Sequence, residues 1–478
     1  MLNKYAASLI AMSVFLSAGP AAADEILVDN DKNVEMTVSI YNNNLGFVRD
    51  VRKVNLPAGN NAIAFEGVAS QIKPETAMVS GNGIEVIEQN YDYDLLTANN
   101  IMEQFIGKEV KTAILNPENG QTIFDKAKLL NSNYGAPILQ FSYGVEANFP
   151  GRVVYDKIPS SLRVKPTLVV NLKNNAAADK ELELAYLTNG ISWKADYIAE
   201  VKSDDVLDIN TWITLNNETG ADYENARVQL VAGNVNQESG ASNVVRPKMM
   251  LARGMMAMES AAADSGAAER TSLADYYLYT LPVKTTIKDK QSKQVSLMNL
   301  NNVKYAKEYL LHSPLYVGVG VSANEFEKQN PNVVFKLIND KASNLGLPMP
   351  GGIVRFYEKD EGNNLQFIGE SRIEQSASGE KIDLTVGKAF DIYAKGKIKS
   401  VKAISKDMSE VAVEVTFSNA ASKNKNVVFE QNIANNWEVL SENAKSEKKN
   451  ASTLKWNLEV PQNGKKVLEF SLRVYRNR

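Results

Sequence analysis

The stretch from Thr188 to Asn236, TNGISWKADYIAEVKSDDVLDINTWITLNNETGADYENARVQLVAGNVN, decides how the whole chain is read. Trp193, Ala195, Tyr197, Ala199 and Val201 alternate with Lys194, Asp196 and Glu200, and only Ile198 breaks the outer face. A period of two makes a strand with one buried and one wet face. Leu207, Ile209, Thr211, Ile213 and Leu215 repeat the pattern against Asp208, Asn210, Thr214 and Asn216. Asn189-Gly190 and Thr219-Gly220 bracket the pair with residues that tolerate positive φ. A looser third run, from Arg227 to Val235, alternates through Val228, Leu230 and Ala232. Three strands with short links predict an antiparallel meander. Trp193 and Tyr197 are its core aromatics. The stretch specifies architecture, and nothing in it asks for a substrate.

Strand patterns continue on both sides. Towards the C-terminus, Val411, Val413, Val415 and Phe417 alternate with Glu410, Ala412, Glu414 and Thr416, and Leu468, Phe470, Leu472 and Val474 do the same. With Trp437 and Trp456 between them, residues 401–478 predict an immunoglobulin-like sandwich without its disulfide. Runs at Val333–Ile338, Ile353–Tyr357 and Ile382–Val386 place a second β-sandwich over 275–400. Towards the N-terminus, Met36, Val38 and Ile40, then Ile84–Glu88 after the turn at Ser80–Gly83, mark a β domain over 24–94. Leu96, Ile101, Met102 and Phe105 have helical spacing ahead of Gly107, which predicts a short helix over 95–106. About five short strands follow up to Pro159, including a hairpin at Asn116–Gly120. So many in so few residues predict a small closed, SH3-like barrel. The helix and barrel make an insert over 95–159, and residues 160–236 complete a sandwich. Residues 237–274 contain no aromatic residue and read as a flexible Met/Ala-rich segment that builds no core. The predicted class is therefore mainly β: a multidomain set of sandwiches with one small inserted barrel and one short helix. No period of 20–50 residues repeats, which argues against a propeller or solenoid.

The N-terminus predicts export. Lys4 precedes an apolar run from Ala6 to Ala18, shorter than the roughly 20 residues a membrane helix needs. Ala21-Ala22-Ala23 offers a small-residue cleavage site, so residues 1–23 read as a signal peptide cleaved before Asp24. The chain has 478 residues and no Cys. An exported protein without Cys has neither disulfides nor a lipid-bearing Cys, which suits a periplasmic or secreted location. A net charge of −3 argues against a dedicated nucleic-acid binder.

The search for chemistry mostly excludes. One histidine, His312, and no Cys remove thiolate nucleophiles, thiolate metal sites and multi-His zinc sites. A triad through His312 would need a serine, and no G-x-S-x-G elbow supplies one. Ser70-Gln71-Ile72-Lys73 matches S-x-x-K, but Ser322-Ala323-Asn324 and Lys284-Thr285-Thr286 stand in the wrong order for that enzyme class. Asp29-x-Asp31-x-Asn33 opens like a calcium loop and fails at Val34 and Ile40; it reads as a disordered start of the mature chain. Gly318-x-Gly320 lacks the strand-to-helix setting of a nucleotide loop. Met249, Met250, Met255, Met256 and Met258 are five of the 13 methionines. Such a cluster could take copper(I) through soft thioethers, or serve as an adaptable apolar contact. Residues 395–478 hold 16 Lys/Arg against 9 Asp/Glu, a basic excess that suits anionic polymers or an ordinary solvated face.

Four motifs carry a resemblance. SWKADYIAEV, TLNNETGADYENARVQLVAGNVN, LGLPMPGGIVRFYEKD and LTVGKAFDI, in that order and with a Met/Ala-rich gap, resemble the bacterial proteins sharing domain of unknown function 4139. The resemblance runs from about Tyr155 to the C-terminus. Some relatives are labelled mucoidy inhibitors and carry a coiled coil in their N-terminal half; this chain has no such heptads. The resemblance supplies no catalytic residue set. Gly220 and Gly233 read as positions of backbone freedom, and Pro348, Pro350, Gly351 and Gly352 as a rigid turn feeding a strand.

The expectation is an exported cell-envelope protein acting as a non-catalytic binding or structural module, with an envelope protein or polysaccharide as partner. The alternative is a carboxylate-dependent hydrolase of envelope glycans, and a remote one is copper handling through the Met cluster. No catalytic, cofactor-binding or metal residue is nominated. No cofactor, nucleic-acid partner or transmembrane helix in the mature chain is expected.

Overall fold

The computed structural model describes residues 25–476 except 134–135, 160, 234, 236–268, 274–275 and 435. The predicted signal peptide and the Met cluster lie outside the described residues. Among the described residues the chain is mainly β, with one α-helix and six sheets, none of them closed into a barrel.

The signature stretch folds as its alternation predicts up to its second strand. Ile191–Val201 pairs antiparallel with Val206–Asn217, from Ile191 opposite Asn217 to Val201 opposite Leu207. Trp193, Tyr197, Leu207, Ile213 and Leu215 are buried. The predicted meander stops there. Tyr223–Ala232 does not add to this hairpin; it crosses the core and pairs parallel with Asn33–Tyr41 in the opposite sheet. The corner explains the departure. Asn217 is buried and donates to the Ala221 carbonyl at 2.9 Å, while its Oδ1 accepts from the Thr219 N–H and hydroxyl. Gly220 takes φ +81. This folded-back turn sends the chain into the other layer, where Val228 and Leu230 face the hairpin's buried side and the Val231 carbonyl accepts from Trp193 Nε1. One stretch thus supplies both layers of a sandwich.

The hairpin's sheet runs in the order Gln291–Lys304, Val206–Asn217, Ile191–Val201, Gly352–Lys359, Leu365–Ile373. Gly352–Lys359 lies parallel to Ile191–Val201. A Cβ at Gly352 would collide with the Ala195 carbonyl, so glycine permits this close approach. The Tyr197 hydroxyl donates to the Pro350 carbonyl at 2.6 Å and the Tyr279 hydroxyl to that of Pro348 at 2.9 Å, which fixes the Pro-Gly turn. The facing layer is an eight-stranded sheet built mainly from Asn33–Tyr41, Leu45–Leu56, Ala178–Thr188 and Tyr223–Ala232. A four-stranded sheet, in the order Ile26–Val28, Gly59–Glu66, Thr167–Asn174, Ile84–Asp92, closes the same core at the N-terminal end.

Residues 275–400 supply strands to several sheets. A six-stranded sheet runs Lys381–Lys388, Asn332–Ile338, Ala306–His312, Lys425–Asn432, Thr453–Val460, Glu447–Asn450. Its first two strands give Phe335, Leu337, Ile382 and Leu384 to the first core, and the rest give Tyr309, Phe429 and Trp456 to a second. The second core is closed by Glu325–Gln329, Ile392–Ser405, Met408–Asn419, Gly464–Tyr475 and Asn436–Glu442. Val411 faces Leu472 and Val415 faces Leu468, the alternation read in the sequence. Residues 401–478 therefore share their sandwich with strands from 306–405.

The insert is an open sheet where a closed barrel was expected. Its strands run Gly144–Ala147, Ala136–Phe141, Thr122–Asn133, Glu109–Leu115, Arg152–Val154, and the two end strands do not pair with each other. The predicted helix is present as Ala98–Gln104, with the Thr97 side chain accepting from the Asn100 N–H. Its Met102 and the following Phe105 pack with Leu129 and Leu139, and Phe149 and Tyr155 cover the same small core. A helix and two aromatics fill the side that barrel closure would have filled. The Asp29–Asn33 region is also ordered, against expectation. Asn30–Lys32 is a 3-10 turn, and Asn30 and Asn33 reach the buried pair Arg52–Asp50.

Candidate functional site

The residues singled out for chemistry do not come together. His312 is exposed, with Nδ1 3.2 Å from Glu430 Oε2; Glu430 is held by Lys449 at 2.7 and 2.9 Å. The Ser70 hydroxyl donates to the Thr219 carbonyl at 2.7 Å, as a brace between the two layers. Thr285 accepts from Lys293, and the Asn324 carbonyl accepts from the Ile398 N–H in a different sheet. Among the described residues, no group of three or more His, Cys, Asp or Glu is placed to hold a metal. No helix there is long and apolar enough to cross a membrane.

A concavity lies elsewhere, on the outer face of the four-stranded sheet, as an open groove of about 800 Å³. Strand register builds it. Leu27, Ala64, Val169 and Asn90 share one row across the sheet, and Ala62, Asn171 and Glu88 the next. The outward side chains at the middle of the sheet are small, so Ala62 and Val169 form a floor, while Ala64 beside them is fully buried. A bulge opposite Asn171 and Leu172 leaves Ile87 without a register partner and turns it into the groove. The walls are amides and carboxylates.

Most of these groups are already oriented. Asn90 Nδ2 donates to Glu88 Oε1 at 3.2 Å, and Asn171 Nδ2 to Glu88 Oε2 at 3.4 Å. Asn61 is tied back to the carbonyls of Pro57 and Gly59, both at 3.0 Å. At one end Arg163 donates twice to Glu25, at 2.8 and 3.0 Å, and twice to Asp92 Oδ2, at 2.7 and 3.0 Å. The hydrogen bond to Glu25, opposed by burial and reinforced by Asp92, raises the guanidinium above its ordinary value. Two carboxylates thus neutralise the one arginine there. The Tyr91 hydroxyl donates to the carbonyls of Ala69 and Ser70, and burial raises its pKa. The groove thus offers amide donors and acceptors around a shallow apolar floor.

None of this was nominated from sequence. Glu88 lies in a predicted strand, but Asn60, Asn90 and Asn171 come from three strands whose order no local pattern states. The available signal was the polar pair Gln89-Asn90 directly after the predicted strand Ile84–Glu88.

A mainly β protein of several packed sheets, with an open polar groove and a stretch of signature turns, is the class these features define. The family described as domain of unknown function (DUF4139) matches residues 182–477, and the chain belongs to that family. The matched region contains the signature hairpin, the Pro-Gly turn and the second core; the groove precedes it. No curated protein matches the chain.

Proposed function

We propose that this is an exported protein of the cell envelope that binds a neutral polysaccharide without cleaving it, through the groove of the N-terminal sheet. The carrying observation is the pairing of open amides with a small apolar floor. Asn90 and Asn171 are each anchored through one N–H and keep a carbonyl and a second N–H for a ligand. A sugar hydroxyl is both donor and acceptor, as is a carboxamide, and a sugar ring has an apolar face that suits Ala62 and Val169. The groove's arginine is already matched by two carboxylates, which disfavours an anionic ligand.

The test is calorimetric titration with neutral oligosaccharides of glucose and of N-acetylglucosamine. Wild type is expected to bind, and the Asn90→Ala/Asn171→Ala variant to lose about fivefold or more, from two hydrogen bonds worth roughly 0.5–1.5 kcal/mol each. Absence of binding to every neutral chain would sink this reading. Glu88 and Asp92 in one groove favour a second reading, a carboxylate-dependent glycan hydrolase. Accumulation of reducing ends that stops in Glu88→Gln would establish it in place of simple binding. Export predicts that protein recovered from the periplasm begins at Asp24. For the second core, we infer an immunoglobulin-like relationship, supported by its two-layer packing around Trp456.

A further inference from the structure

A second concavity has the opposite chemistry. Where the six-stranded sheet passes from the first core to the second, a cleft of about 210 Å³ opens beside Tyr309, Val333 and Phe335. Lys307, Lys388 and Lys425 stand around it, with Asp391 as its one acid. The three lysines form no ion pair within 4.0 Å among the described residues, whereas the nearby Lys395, Lys397 and Lys399 all do. Two of the three rest on aromatic rings instead. Lys425 Nζ lies 5.0 Å from the centre of the Tyr309 ring and donates to its hydroxyl at 2.8 Å, and Lys307 Nζ lies 5.9 Å from that of Phe335. Such contacts hold an ammonium group without neutralising it.

Phe390 stands at the same rim and is 89% exposed. The segment carrying it is pinned. Asn330 Nδ2 donates to the carbonyls of Ala389, Phe390 and Ile392, at 2.8, 3.4 and 2.9 Å, and the Ala389 N–H donates to the Pro331 carbonyl at 2.9 Å. An aromatic side chain on a braced backbone, turned out into water, loses little freedom when a partner covers it.

We propose that this cleft docks an acidic peptide segment of a partner protein, one that carries an aromatic or aliphatic residue among its carboxylates. The apolar residue enters beside Tyr309 and Val333 and meets Phe390, while the carboxylates reach Lys307, Lys388 and Lys425. Size and charge both select this occupant. The cleft is below the roughly 300–1,000 Å³ of small-molecule pockets and suits one side chain. Three cations against one acid attract negative charge and steer its approach.

The experiment probes the full chain with an array of short synthetic peptides that place Phe, Leu or Ala between increasing numbers of Asp and Glu, followed by fluorescence anisotropy on the tightest. Binding is expected only where acid and an apolar residue occur together, and it should weaken as salt rises. Phe390→Ala and Lys388→Glu should each weaken it by about tenfold or more, without a change in melting temperature, because both side chains are exposed. Asn90→Ala/Asn171→Ala should leave it unchanged, which separates this site from the glycan groove. Failure of every peptide to bind, or equal binding by the Phe390 and Lys388 variants, overturns the proposal. Cosedimentation with phosphatidylglycerol vesicles that depends on those residues, without peptide binding, would replace the peptide with a lipid surface.

Discussion

Arg52 in Leu45–Leu56 and the lysines of Ile392–Ser405 look alike in sequence and lie at opposite extremes of environment. Arg52 is 1% and Asp50 2% exposed. All five guanidinium donors are used: Nε and Nη2 on Asp50 Oδ2, Nη1 on the carbonyls of Val28 and Glu66, and Nη2 again on Asn30 Oδ1. The remaining Asp50 oxygen accepts from Asn33 Nδ2 at 2.7 Å. On the outer face of the C-terminal sheet, Lys395, Lys397 and Lys399 pair with Glu327, Glu414 and Glu469 in a solvated ladder. The first set ties Val28 and Asn30 to the end of Gly59–Glu66; the second pairs three of the local basic residues with acids. A count of charges separates neither from the three unmatched lysines of the cleft.

The comparison is sharpened first by Arg52→Leu. It leaves Asp50 buried without its cation and strips two carbonyls of their donor, so a loss of about 3–5 kcal/mol is expected in urea unfolding. Asp50→Leu/Arg52→Leu should recover part of that loss, because no buried charge is left behind. Equal instability of the single and double variants would show that the pair's value lies in the carbonyls it binds. Next in size is Gly352→Ala, which forces a methyl against the Ala195 carbonyl between two parallel strands. A cost of about 1–3 kcal/mol is expected by the same measurement. An unchanged midpoint would mean that the signature turn can shift to make room.

The residues explain how far the sequence could be read. Inward positions of the signature hairpin, such as Trp193, Tyr197, Leu207 and Leu215, followed from alternation because that pattern is local. The destination of Tyr223–Ala232 did not, since its partner strand lies 190 residues away at the Ser39–Gln229 contact and is parallel. The burial of Asp50 and Arg52 was illegible for a different reason. In Val48-Arg49-Asp50-Val51-Arg52-Lys53-Val54 the charges fall on both faces, and only the fold shows that Asp50 and Arg52 share the inner face with Val48 and Val54. The barrel expectation counted strands correctly but had no means of seeing that a helix would cover the open side. Groove and cleft were both illegible because each assembles side chains from separate strands: Asn60, Asn90 and Asn171 in one, Lys307, Lys388 and Lys425 in the other.

The smallest effect belongs to the ladder, and it tests whether those charges matter to stability at all. Hydrogen bonds from Lys399, and then Lys397, lower the Glu414 carboxyl below its ordinary value. A carboxyl lowered by folding stabilises the folded chain at neutral pH. That contribution is lost as the pH falls through the carboxylate range, where the folded chain must take up the proton. Glu414→Gln should therefore cost no more than about 0–1 kcal/mol at neutral pH, and less at high salt. In acid the variant and wild type should converge, since both then carry a neutral side chain facing the same lysines. A large difference that survives high salt and low pH would show that this face is held by more than screened ion pairs, and the contrast with Arg52 would collapse.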